Sequence, residues 1–249
     1  MIPKSLLPFY ALALLALAGP SAASLAQGGP TPFPGNDSAD WLGKGVVRVF
    51  PWMTDNRNYF WSQRDQSQNA IVFVGDSLTG NWGNLAKSFP DLKVANRGIG
   101  GEVTRGTLFR FKEDVLDLNP RAIVLMIGTN DLSALESPND ALSNLSDILD
   151  MVQADAPAVP LILCTIPPRL SKEAPIDNAR LLEYNQGITN LATGRKQVTL
   201  LDLYLLFLQA GTDQPDPQYF KPDKMHFGEA GYLKWKGALD EVFAQLKLK

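Results

Sequence analysis

Ile71-Val72-Phe73-Val74-Gly75-Asp76-Ser77-Leu78-Thr79 is the stretch whose reading decides the fold. Its apolar residues run without alternation into a glycine, the pattern of a strand buried on both faces of a parallel sheet. Gly75 lets the backbone turn sharply with no Cβ in the way, and the small polar residues beyond it suit the cap of a following helix. Ser77 is therefore expected at the carboxyl end of a strand beside a helix amino terminus, where a nucleophile is useful. Ser and Asp after a strand are also ordinary turn and cap residues, so the nonapeptide alone leaves both roles open. Two neighbouring motifs fail. Gly75 to Gly80 has the glycine spacing of a phosphate-binding loop, but Asn81 stands where that loop needs Lys. Thr79 occupies the second glycine position of a Gly-x-Ser-x-Gly nucleophile elbow.

The surrounding chain has 249 residues, 45% of them hydrophobic and 20% charged, and a net charge of −3. That is enough for one sizeable α/β core, with no basic clustering of the kind nucleic acid requires. The opening segment is distinct: Lys4, then an apolar run from Leu6 to Ala18, then small residues. Its layout predicts a secretory signal over residues 1–26, with Ser24-Leu25-Ala26 as the cleavage site, and hence a secreted or periplasmic protein. The run is short for a membrane span and is interrupted by Pro8, so a retained anchor is the weaker alternative. Residues 27–40 read as a flexible Gly/Pro-rich leader, and residues 41–249 as a single domain. The lone Cys164 lies in an apolar run and reads as a small core residue.

Four more short apolar runs follow the first, at 92–95, 122–127, 161–166 and 198–201. Segments at 104–116, 138–154 and 178–192 have apolar residues at helical spacing, and a closing helix spans 227–246. A further amino-terminal helix near Asp55 to Arg64 is expected to cover a face of the sheet. The aromatic density from Trp41 to Trp61 reads as packing ahead of a sugar-stacking platform. Strands alternating with helices imply right-handed crossovers, hence a three-layer, doubly wound α/β domain of about five parallel strands.

In such sheets the functional crevice lies outside the carboxyl ends of the strands. The strands deliver, in turn, Asp76-Ser77, Asn96-Arg97-Gly98-Ile99-Gly100-Gly101-Glu102, Gly128-Thr129-Asn130-Asp131 and Pro167-Pro168-Arg169, and a last loop brings Asp223-Lys224-Met225-His226. The glycine cluster is not a dinucleotide fingerprint, since Val103 replaces its third glycine, but its backbone N–H groups suit an anionic oxygen. His226 is the chain's only histidine. If Ser77 is a nucleophile, His226 is the one candidate for its base, and Asp223 is spaced to hold the imidazole Nδ1–H.

These blocks, in this order, resemble the SGNH (GDSL-type) hydrolases, and within them the small platelet-activating-factor-acetylhydrolase-like esterases, which share the Asn-x-Gly-Ile-Gly-Gly turn. The resemblance covers residues 71–246. It implies a flavodoxin-like sheet in the order 2-1-3-4-5, a Ser77, His226, Asp223 triad, and an oxyanion hole from the N–H groups of Ser77 and Gly101 with the Asn130 amide. It implies no metal and no cofactor. Glu102 departs from the pattern, where many members have Asp. The function expected is an exported esterase for short-acyl, chiefly acetyl, esters of small molecules such as an O-acetylated carbohydrate or lipid. A lysophospholipase or thioesterase of the same family, or a glycan-binding module on the same fold, is the alternative.

Overall fold

The computed structural model describes residues 28–135, 137–172 and 175–249, so the expected signal segment lies outside the described residues. Helix α1 (Pro51–Ser62) precedes strand β1 (Ile71–Gly75) and two single-turn helices, α2 (Ser77–Gly80) and α3 (Leu85–Ser88). Then come β2 (Val94–Gly98), α4 (Thr104–Asp114), β3 (Ala122–Met126), α5 (Thr129–Ser133), α6 (Pro138–Asp155) and β4 (Leu161–Cys164). The chain ends with α7 (Asn178–Ala192), β5 (Val198–Leu201), α8 (Leu203–Leu206) and α9 (Glu229–Gln245). The strands form one sheet in the order β2-β1-β3-β4-β5, all parallel, with Ile71 paired to Val94 on one side and Ala122 on the other. The expected fold class and strand order are those observed.

Alternation along the buried strands divides the core in two. Val72, Val74, Ile123, Leu125, Leu161 and Leu163 point into one cluster with α4, α6 and α7. Ile71, Phe73, Val124, Met126, Ile162 and Cys164 point the opposite way, towards α2, α3 and α9. Each face thus has its own helical layer, as a doubly wound sheet needs. Cys164 is fully packed, and burial pushes its thiol up, as suits a small core residue.

Two elements depart from the sequence reading. β2 begins two residues later than the apolar run and extends through Asn96 and Arg97. It is the sheet edge, so polar residues are tolerated there: the Asn96 amide donates to the Thr79 carbonyl, and Arg97 stacks over Phe60. α1 starts four residues earlier than expected, at Pro51, whose fixed φ suits a first helical turn. It does not cover a sheet face. Its buried Met53 and Phe60 form a separate small cluster with Ile99, beyond the β2 edge and against α4. Ahead of it, Phe33 stacks on Trp41, and the Thr31 backbone N–H donates to Glu113, so this part of the 27–40 segment is held against α4.

Candidate active site

Every polar block meets at the carboxyl rim of the sheet. β1 ends in Gly75, where a Cβ would stand 2.1 Å from the Met126 carbonyl oxygen and 2.7 Å from Thr79 Oγ1, so only glycine lets the chain turn here. Asp76 caps α2 by accepting the Leu78 N–H at 2.9 Å. That places Ser77 in the first position of the helix, where its own N–H has no intrahelical acceptor.

Ser77 Oγ donates to His226 Nε2 at 2.9 Å, and His226 Nδ1–H donates to Asp223 Oδ2 at 2.8 Å. The other Asp223 oxygen accepts the backbone N–H groups of Met225 and His226, both at 2.9 Å, so the carboxylate is locked by its own turn. Partial burial raises the Asp223 carboxyl, but these bonds and the imidazole outweigh it and hold it down at about 2. Asp223 is therefore ionised at neutral pH and fixes the imidazole tautomer that leaves Nε2 free to take a proton. Leu170 N–H donates to the Lys224 carbonyl, tying the loop after β4 to the histidine loop.

The other two rim loops converge on the same spot. Gly101 has φ +81°, and a Cβ built on Gly100 would lie 3.8 Å from the Ser77 Cβ, so the glycine turn lies against Ser77. No internal acceptor takes the Gly101 N–H among the described residues. Asn130 follows Gly128, where a Cβ would meet the Tyr184 hydroxyl at 2.4 Å, and its Nδ2 donates to the Glu102 carbonyl at 2.9 Å. Asn130 and Ser77 line one small cleft with Thr129, Pro168, Arg169 and Met225. Ser77, His226, Asp223 and Asn130 are thus brought together, with Gly101 next to the Gly100 that lies against Ser77.

Sequence reasoning missed what supports them. The Glu102 side chain is buried and accepts from Arg110 Nε at 2.6 Å and Thr107 Oγ1 at 2.9 Å, while Arg110 also donates to the Arg97 carbonyl. Burial pushes the Glu102 carboxyl up against the pull of Arg110. Asp131 clamps the start of α4 by accepting the Thr104 N–H and hydroxyl. Arg169 reaches Thr129 Oγ1 at 3.3 Å across the cleft. Asp76 is wholly buried with Oδ2 unpartnered, and burial pushes its carboxyl up to about 7, opposed by the Leu78 N–H and the charge of Arg169. Among the described residues no group of three or more His, Cys, Asp or Glu could hold a metal ion.

The profile of the GDSL-like lipase/acylhydrolase family matches residues 73–234, which contain all of these rim loops. The chain belongs to that family. As one of its members, it is a carboxylic ester hydrolase. It is 27% identical over 201 residues to the platelet-activating factor acetylhydrolase IB subunit alpha2 of Rattus norvegicus, covering 78% of this chain and 84% of that one. Among solved structures, it resembles a GDSL-like lipase from Bacteroides thetaiotaomicron at 21% identity and TM-score 0.66, over 76% of this chain and 97% of that one. It also resembles an acetyl xylan esterase from Geobacillus stearothermophilus at 21% identity and TM-score 0.54, over 70% and 94% of the two chains. At that identity the two structures share the fold of this acylhydrolase.

Proposed function

We propose that the protein is an exported serine esterase for short-acyl esters, with Ser77 as nucleophile, His226 as general base and acid, and Asp223 as the residue that orients the imidazole. The observation that carries this reading is the unbroken chain of hydrogen bonds from Ser77 Oγ through both His226 nitrogens to Asp223, at 2.9 and 2.8 Å. Ser77 Oγ attacks the ester carbonyl while His226 Nε2 takes its proton. The carbonyl oxygen becomes an oxyanion held by the N–H groups of Ser77 and Gly101 and by Asn130 Nδ2. Collapse of the tetrahedral intermediate breaks the bond to the alkoxy oxygen, which receives the proton from His226. Water, deprotonated by the same imidazole, then attacks the acyl-serine and releases the acid. The donors stand fixed before the charge develops, which makes them effective.

The short-acyl reading is supported by the size of the cleft. The cleft beside Ser77 is small, about 10 Å³, and its walls include Pro167, Pro168 and Met225. The export reading rests on the pattern of residues 1–26. Treatment with a serine-reactive fluorophosphonate, followed by peptide mass analysis, tests the assignment. One adduct on the peptide bearing Ser77, lost in Ser77→Ala, is the expected result. An adduct on a different serine would reject it.

A further inference from the structure

Helix α1 turns an aromatic face to solvent. Trp52 is 48% exposed and Tyr59 62% exposed, the only aromatic side chains among the large apolar ones left exposed in the described residues. With Asn56 between them, they stand at i, i+4 and i+7 of one helix, on a single face. Trp52 is not free to swing. Its ring stacks on Phe50 at 4.4 Å with 15° between the planes, and its Nε1–H donates to the Gly100 carbonyl at 2.9 Å. Because Gly100 lies against Ser77, the indole is held about one residue from the nucleophile, on the side of the oxyanion turn.

Below Trp52 the same helix face borders an open groove of about 340 Å³. Its lining includes Asn56, Tyr59, Asn96 and the backbone of Gly80 and Gly98, beside the apolar side chains of Leu85 and Val94. Gly80 and Gly98 pack backbone to backbone, so closely that a Cβ on Gly98 would lie 2.2 Å from the Gly80 nitrogen, so no side chain can project from Gly98 into the groove. The lining carries no charged side chain, so a phosphate-bearing headgroup would find no counter-charge there. The exposed rings of Trp52 and Tyr59 beside the amides of Asn56 and Asn96 suit a neutral ring with apolar C–H faces and hydroxyl edges.

We propose that Trp52, Asn56, Tyr59 and this groove form an alcohol-side subsite for a carbohydrate chain that carries the ester. One sugar ring lies on the Trp52 indole with its acyl group turned towards Ser77, and the neighbouring sugars run down the groove past Tyr59. This deepens the proposed function and rests on Ser77 being the nucleophile.

Binding of unacetylated xylo-, cello- and chito-tetrasaccharides to the full chain, read by tryptophan fluorescence, tests the subsite independently of turnover. At least one is expected to bind saturably, with Tyr59→Ala weakening it about fivefold to tenfold. In parallel, kcat/KM for the acetylated form of that tetrasaccharide is compared with that for ethyl acetate, which has no ring to stack. The ratio should fall about tenfold in Tyr59→Ala, chiefly through KM. No saturable binding of any of the three at millimolar concentration, or binding by Tyr59→Ala within twofold of wild type, would overturn the subsite. Ethyl acetate turnover separates the two readings: if it persists while no sugar binds, the subsite alone fails, and if it is absent the assignment of Ser77 fails.

Discussion

Asn130 shows how one side chain is aimed. Its Nδ2 donates to the Glu102 carbonyl, which holds the amide at the cleft beside Ser77, where the proposed mechanism puts the oxyanion. Asn130→Ala is therefore expected to lower kcat by about 10² to 10³ with a much smaller change in KM, measured on 4-nitrophenyl acetate. A loss confined to KM would mean that Asn130 binds substrate and does not stabilise the oxyanion. Asp76 is the second residue with a sharp consequence. Its folded carboxyl titrates at about 7 against an ordinary 3.8, because it is buried with one oxygen unpartnered. Between those values the folded chain keeps a proton that the unfolded chain has released, so this residue's contribution to stability falls as pH rises from 3.8 to about 7 and is level above. Asn caps a helix as well as Asp does and cannot ionise, so Asp76→Asn should gain on wild type by on the order of 4 kcal/mol across that range. Urea denaturation at about pH 4.5 and about pH 7.5 checks this, and an equal stability difference at the two values would contradict it.

At the scale of elements, the site is carried by loops whose anchors are buried charges. Glu102 joins the glycine turn to α4 through Arg110, and both side chains are essentially excluded from water. Removing one charge of such a pair strands the other, so Glu102→Gln should cost about 3 kcal/mol in urea unfolding and lower kcat, since the same residue's carbonyl anchors Asn130. Stability within about 1 kcal/mol of wild type would show that Arg110 is satisfied by Asp114 and the Arg97 carbonyl alone. Elements were legible in the sequence to the extent that they repeat a pattern. β1 and β3 are apolar runs because both faces are covered, whereas β2, at the edge, mixes Asn and Arg into its second half and so reads as a turn. The single-turn helices α2, α3, α5 and α8 are too short for any helical period to show. The pairing of Glu102 with Arg110, and of Arg57 with Asp114 across 57 positions, left no local signal, since isolated charges in sequence read as surface.

For the whole molecule, topology explains why residues as distant in sequence as Ser77 and His226 meet. A parallel sheet sends the carboxyl ends of all its strands to one rim, and the last loop before α9 crosses that rim. That much followed from the strand order and the single histidine. The role of the aromatic stretch did not: Trp41 and Phe60 are core, while Trp52 and Tyr59 of the same stretch face solvent, and composition cannot divide them. The proposed short-acyl preference belongs to this scale, because it rests on the shape of the rim. In a cleft of about 10 Å³, added methylenes would gain little of the ~0.8 kcal/mol each would earn on burial. Comparing kcat/KM for nitrophenyl acetate, butyrate and laurate should give a preference for acetate, and a clear preference for laurate would reject the short-acyl reading.

The most direct test is the double-mutant cycle of Ser77→Ala and His226→Ala on 4-nitrophenyl acetate. If the two act as one proton-transfer unit, each single variant should lose ~10⁴ or more in kcat, and the double variant should lose no more than either alone. Near-wild-type turnover in either single variant, or losses that multiply in the double, would contradict a shared role for the two side chains.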